Sequence, residues 1–354
     1  MKEFVIAPNE AGQRFDKYLK KLLPGASAGF VFKMLRKKNI VLNGKKAAGS
    51  EMLSVGDQVR LFLADETFEK FAAGQTQGGK ALYAPYSKTA LAALHLEIVY
   101  EDEAILIFNK PAGMLSQKSA ITDVSVNEYL IGYLLFQKEL SKEELKTFRP
   151  SAANRLDRNT SGLILCGKSL AGLQYLSEII KNRTLEKYYC CIVEGKLEKE
   201  LLIEGYLSKD PDQNRVFISD RAPEGKEASF IKTGINPIGQ YTWRGQSFTE
   251  LSVHLITGKP HQIRAHLASI GHPIVGDPKY GRRKEGAPGQ GTGNGGQSAL
   301  EKKCHVKSQL LHSRTVIFPE TEGAFAYMSG KRITAAFSPD YEKVRKELQH
   351  GNVE

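Results

Sequence analysis

The chain has 354 residues, 41% of them hydrophobic and 25% charged, which is ordinary for a globular protein with room for one large domain and a small one. Its formal charge of +11 and pI near 9.3 suit a polyanionic partner without requiring one. No apolar run approaches the ~18 residues of a membrane span and the first residues lack a signal-peptide core, so a membrane-spanning or secreted protein is set aside and a cytoplasmic location is expected.

The charge is unevenly placed, with twelve Lys or Arg against five Asp or Glu in residues 1–64, a surplus of seven. Phe15, Tyr18, Leu19 and Leu22 recur at helical spacing before Pro24-Gly25 stops the run, and a second helix is expected over 28–38 with Val31, Met34 and Leu35 inward. Ile40 to Lys45 reads as a strand and a turn, because Asn43-Gly44 is a strong hairpin signal, and 55–63 supplies a closing strand. Arg14, Arg36, Lys37, Lys38 and Lys45 are left for solvent. They suit RNA phosphates, the plainer alternative being a solvated basic face. Residues 65–90 turn to Gly, Gln, Lys, Ala and Ser and read as a flexible linker that raises effective concentration without fixing geometry.

A larger domain is expected over 91–338. Residues 96–100 and 104–114 give two strands and a turn at Asn109-Lys110-Pro111-Ala112-Gly113, and helical spacing follows in 125–146. Next comes Asn154-Arg155-Leu156-Asp157-Arg158-Asn159-Thr160-Ser161-Gly162, a polar loop feeding an apolar run that ends at Cys166. Two arginines flanking one carboxylate favour its ionised form, which makes Asp157 a candidate nucleophile or base and not a proton donor. For such a motif in isolation a structural ion pair at a strand edge is the commoner explanation.

A helix over 169–182 leads to a strand over 187–195, whose alternation puts Tyr189, Cys191 and Val193 on one face; for such a tyrosine alone, core packing is the ordinary role. The strand over 246–255 runs into a turn and a helix with Ile263 and Leu267 inward at i, i+4. Gly271-His272-Pro273-Ile274-Val275-Gly276-Asp277 follows, then a Gly-rich insertion over 282–303 that is expected to be mobile. Residues 310–318 return to strand character, and 339–354 read as a charged tail with a helix candidate at 340–348. Cysteines 166, 190, 191 and 304 lack zinc-ligand spacing, so reduced thiols are expected. His261, His266 and His272 invite a metal, but 261 and 266 are five apart and lie on different helix faces; no metal and no cofactor are expected.

Several of these stretches together resemble the RluA family of pseudouridine synthases. They are Arg155-Leu156-Asp157 with Thr160-Ser161-Gly162, Asn109-Lys110-Pro111 with Gly113, Lys187 and Tyr189 ahead of Gly195, His261-Gln262-Ile263-Arg264, and the run from Gly271 to Asp277. Asn154 stands where many members have a histidine, and Gly258-Lys259-Pro260 where Gly-Arg-Thr is usual. The resemblance implies an α+β catalytic domain around a central mixed, mainly antiparallel sheet. It implies an isomerase that breaks the bond from ribose to uracil nitrogen, turns the base and rebonds through ring carbon five, with no cofactor.

It also implies roles: Asp157 as the catalytic carboxylate, Arg264 as its cation and Tyr189 as the platform under the detached uracil. Arg155 would fill the gap left by the flipped base, with Arg158 beside it on the RNA, and Ile263 and Leu267 would wall the pocket. Residues 12–63 likewise resemble the RNA-binding module first seen in ribosomal protein S-four, a small α/β domain. Members carrying it mostly act on large-subunit ribosomal RNA, transfer RNA being the next candidate, so a monomer acting on structured RNA is expected. Two other classes stay open on the residues alone. One is a non-catalytic RNA-binding or ribosome-assembly factor built on the basic module, against which the joint presence of Asp157, Tyr189 and Arg264 argues. The other is a hydrolase using Asp157, which would need a second carboxylate as general acid or base.

Overall fold

A computed structural model describes residues 1–72, 96–120, 123–142, 144–210, 215–224, 227–281 and 297–351. At the N-terminus, strands β1 (Lys2–Val5), β2 (Ile40–Leu42), β3 (Lys45–Lys46) and β4 (Gln58–Leu61) form a sheet in the order β1-β4-β2-β3. Helices α1 (Phe15–Leu22) and α2 (Ala28–Arg36) cover it, α2 starting where the Ser27 hydroxyl accepts the Phe30 N–H at 3.2 Å. Phe15, Tyr18, Leu19, Val31 and Leu35 meet Ile40, Val59 and Leu61 in one core. Asn43 and Gly44 both take positive φ, 52° and 73°, the twist that joins β2 to β3 in two residues.

This unit is larger at both ends than its sequence pattern announces. The first residues form β1, paired with β4, and helix α3 (Asp65–Ala72) folds back onto the same core. Phe68 stacks on Phe4 at 6.0 Å, Phe71 lies 4.4 Å from Phe30, and the Phe71 carbonyl accepts the Gly25 N–H. The linker therefore does not begin at residue 65: two phenylalanines one helical turn apart give that stretch an apolar face to bury. The remainder of the expected linker, through residue 90, lies outside the described residues. The unit touches the rest of the chain where the Thr147 hydroxyl donates to Glu10 and the Gln174 amide donates to the Gly12 carbonyl at 2.9 Å.

The remainder is built on one mixed sheet. Its strands are β5 (Glu97–Glu101), β6 (Ile105–Lys110), β7 (Ser151–Ala152), β8 (Ser161–Gly167), β9 (Glu186–Glu194), β10 (Leu201–Asp210), β11 (Arg215–Ser219), β12 (Ala228–Trp243), β13 (Gln246–Leu255), β14 (Leu311–Ile317) and β15 (Arg332–Thr334). Among the described residues the order is β11-β10-β12-β13-β9-β14-β8-β6-β5, with β15 on β14 and β7 on β8. Every pairing is antiparallel except β14 with β8. That pair lies inside the sheet, and there the Gly162 backbone (φ 109°) comes so near Ser313 that a Cβ would collide with its carbonyl. Helices α4 (Val126–Gln137), α5 (Leu170–Lys181), α6 (Gln262–Ser269), α7 (Ala299–Cys304) and α8 (Pro339–Gly351) complete the domain.

Two segments depart from expectation. The end of the Gly-rich insertion is ordered as α7, where Ser298 and Glu301 form a reciprocal capping box; residues 282–296 lie outside the described residues. The C-terminal stretch has the helix expected at 340–348, as α8, but it packs into the domain and does not stand apart as a tail. Tyr341, Val344 and Leu348 of α8 are buried against the core that contains Trp243 and Leu251, and the Tyr341 hydroxyl donates to the buried Glu250. All four cysteines are free and buried.

Candidate active site

The loop before β8 is fixed from beneath by its backbone. Leu156 is buried, and the Ser116 hydroxyl both accepts its N–H (3.0 Å) and donates to its carbonyl (2.9 Å). Lys110, with no exposed surface, donates to the carbonyls of Pro111, Met114 and Arg158 at 2.9, 2.9 and 3.0 Å, while the Gly113 N–H donates to the Arg158 carbonyl. Burial pushes the Lys110 ammonium down to about 7, although the Asp157 charge pulls it up. With Leu156 held in the core, its neighbour Asp157 faces a cavity of about 630 Å³.

Arg264, in the first turn of α6, reaches into this cavity and donates from Nη1 to Asp157 Oδ2 at 2.9 Å, across 107 residues of chain. Its other edge grips Asp277 at two points, Nε to Oδ2 at 2.7 Å and Nη2 to Oδ1 at 2.9 Å. Asp277 is fully buried and also accepts the N–H groups of Lys279 and Tyr280, so it is consumed in holding the arginine. Burial works against the Arg264 charge, but the bonds and charge of Asp277, then those of Asp157, raise its pKa and keep it protonated. Tyr280 lays its ring 5.2 Å from the guanidinium.

Tyr189 lines the same cavity from β9, and burial, with the Asp157 charge adding to it, pushes its hydroxyl up to about 12, so the side chain is neutral. Ile263 lines the cavity as well. Leu267 does not: one turn further along the same helix face it is fully buried in the core, because the face that meets the cavity at Ile263 has by then passed under the sheet's side chains. Arg155 and Arg158 are exposed at the rim, and among the described residues neither pairs with Asp157. The partner of the carboxylate is thus not the arginine beside it in sequence. In the N-terminal unit Arg14, Arg36, Lys37, Lys38 and Lys45 are all exposed, with Arg14 engaged by Asp16 at 2.8 Å.

His261, at the start of α6, places Nε2 3.9 Å from Asp157 Oδ2. The other two histidines have separate duties: His266 faces the Thr233 hydroxyl at 2.8 Å and His272 the Glu194 carbonyl at 2.9 Å. Among the described residues no three candidate ligands gather around a metal position.

Residues 104–269 match the family described as RNA pseudouridylate synthase. These residues therefore carry an RNA pseudouridylate synthase domain. It is 29% identical over 282 residues to ribosomal large subunit pseudouridine synthase D of Nitrosomonas europaea, covering 79% of this chain and 72% of that one. To ribosomal large subunit pseudouridine synthase C of Escherichia coli it is 29% identical over 292 residues, covering 80% and 81%. A solved structure, human RNA pseudouridylate synthase domain containing 4, is similar in fold with a TM-score of 0.55 at 19% identity, over 74% of this chain and 96% of that one.

Within the synthase domain, sequence reasoning missed three groups beside Asp157. Asp277 and Lys110 stood in quoted motifs but carried no role, although a lysine between two strands and a Pro-x-Gly turn is a signal for carbonyl anchoring. His261 was weighed only as a metal ligand.

Proposed function

We propose that the protein isomerises uridine to pseudouridine in large-subunit ribosomal RNA, with Asp157 as the indispensable carboxylate. The observation that carries this reading is the Asp157–Arg264 contact at 2.9 Å inside a cavity that Tyr189 also lines. The names of the relatives supply the RNA class. The reaction breaks the bond from C1′ to N1, turns the uracil, and joins C1′ to C5; the hydrogen on C5 leaves as a proton and N1 gains one. No redox partner enters. A carboxylate held ionised by a buried arginine can attack the sugar or take a proton, while the tyrosine face keeps the detached base in place.

A base inside folded RNA must first leave its stack, at a cost of a few kcal/mol. Arg155, exposed at the rim, fills the space it leaves, and Arg158 meets the adjacent phosphates. The basic surplus of residues 1–64 supports the N-terminal unit, extended to residue 72, as an S-four-like module that grips a separate part of the RNA. All the residues proposed for chemistry line one cavity, so a monomer acting on RNA would suffice; among the described residues no helix is long and apolar enough to cross a membrane.

RNA tritiated at uracil C5 tests the reading. Wild-type protein should release label to water, and pseudouridine mapping of ribosomal RNA with and without the protein should show the sites that disappear. Absence of release from every cellular RNA would leave only a binding factor.

A further inference from the structure

His261 has backbone angles of φ 57° and ψ 11°, a left-handed conformation that is uncommon for a residue with a side chain and tends to persist where the surroundings fix it. Its ring is fixed by Tyr280, with Nδ1 3.1 Å from the phenol oxygen and the two rings edge to face at 5.8 Å. The same phenol oxygen accepts the Val216 N–H at 3.1 Å. With that N–H on one side of the oxygen, the phenol can turn its own proton toward Nδ1. That arrangement would leave the imidazole proton on Nε2, the nitrogen facing Asp157. Tyr280 is itself anchored by its N–H on Asp277, and its ring lies on Arg264. One tyrosine therefore touches both groups that approach Asp157 Oδ2.

We propose that His261 is a positioning residue for Asp157: protonated on Nε2 because Tyr280 holds Nδ1, it closes from 3.9 Å onto Oδ2 when a uridine fills the cavity, leaving Oδ1 to meet the nucleotide. This rests on the reading of Asp157 as the catalytic carboxylate. His261 makes and breaks no covalent bond. Burial lowers its pKa, Asp157 and Asp277 raise it, and Arg264 and Lys279 lower it, so the imidazole is neutral at physiological pH. With a single proton to place, the tautomer matters.

The test is single-turnover tritium release from C5-labelled RNA, with thermal unfolding as a control. His261→Asn keeps a polar group only near the Nδ1 position and should slow release about a hundredfold, the scale of a misplaced reacting group. His261→Gln carries a donor near the Nε2 position and should recover part of that loss. Tyr280→Phe frees the tautomer and should slow the step about tenfold at neutral pH. Its deficit relative to wild type should shrink as the pH falls into the imidazole range, because protonating both nitrogens restores the Nε2–H. Equal rates for the Asn and Gln variants, or a Tyr280→Phe deficit that ignores pH, would overturn the assignment. If His261→Asn fails to fold, the pH dependence of Tyr280→Phe decides alone. Wild-type protein that releases no label would sink the isomerase reading and this one with it; active wild type with indistinguishable variants sinks this one only.

Discussion

Arg36, Lys37, Lys38 and Lys45 of the N-terminal unit stand exposed and, among the described residues, without an ion-pair partner, whereas Arg264 in the catalytic cavity is buried and bound to two carboxylates. Exposed cations act on a polyanion additively and are screened by salt, each worth little alone. A buried cation is an all-or-none element, because removing it leaves its partners charged in a poor solvent. On the proposed function the difference separates gripping RNA from operating on it, and each variant below should fall on one side of that line.

The largest effect is expected from Asp157→Asn. The amide keeps the shape of the carboxylate but cannot act as nucleophile or base, so label release should vanish while RNA binding persists. Stability should change little, because Arg264 keeps both bonds to Asp277. Normal release by this variant would remove Asp157 from the chemistry.

Arg264→Ala comes next, and it should damage fold and activity together. The substitution strands the buried Asp277 and releases Asp157, a change of about 3–5 kcal/mol by analogy with other broken buried pairs. Arg264→Lys should recover only part, since an ammonium cannot reproduce the two-point contact with Asp277 while reaching Asp157. A denaturation midpoint like that of wild type in the alanine variant would refute the arrangement.

What could be read from the chain follows the same division. The basic module was legible because its cues are local: helical spacing at Phe15 to Leu22, a two-residue turn at Asn43-Gly44, and side chains that need no partner to point outward. The motif around Asp157 marks the carboxylate, but its pairing with Arg264 came only from the family resemblance, because a partner 107 residues away is invisible to neighbour reasoning. Residues 196–245 drew no assignment, yet they supply β10, β11 and all of β12, with Trp243 buried at the end. Gly205 and Thr233 occupy buried positions while Leu202, Phe230 and Ile238 stand exposed, which blurs the apolar alternation that marks a half-buried strand. Leu267 was misplaced by one turn of helix, since i, i+4 spacing says which residues share a face and not what that face meets.

A smaller effect concerns Lys110, which fastens the Asp157 loop through three backbone carbonyls. Its folded pKa of about 7 lies below the ordinary lysine value, so between there and about 10.5 the unfolded chain binds the extra proton. Stability should therefore rise with pH across that window, by up to about 1.4 kcal/mol per unit, and be flat below it. Lys110→Met should be less stable throughout and lack this rise. Parallel stability–pH curves for the two proteins would show that Lys110 keeps its proton, as its three carbonyl acceptors would favour.

The smallest effects belong to the module. Lys37→Ala, Lys38→Ala and Lys45→Ala should each lower the slope of log affinity against log salt by about one if each cation neutralises one phosphate. The loss should appear in KM, because these groups stand outside the cavity. Arg14→Ala should do less, since its guanidinium is engaged by Asp16 through both Nε and Nη2 and must leave that carboxylate before it can meet RNA. A slope unchanged by the triple lysine variant would move the electrostatic anchor elsewhere, with Arg155 and Arg158 at the cavity rim as the next place to look. A slope lowered by Arg14→Ala as much as by Lys37→Ala would mean that the Asp16 pair opens freely, as exposed ion pairs worth less than about 1 kcal/mol can.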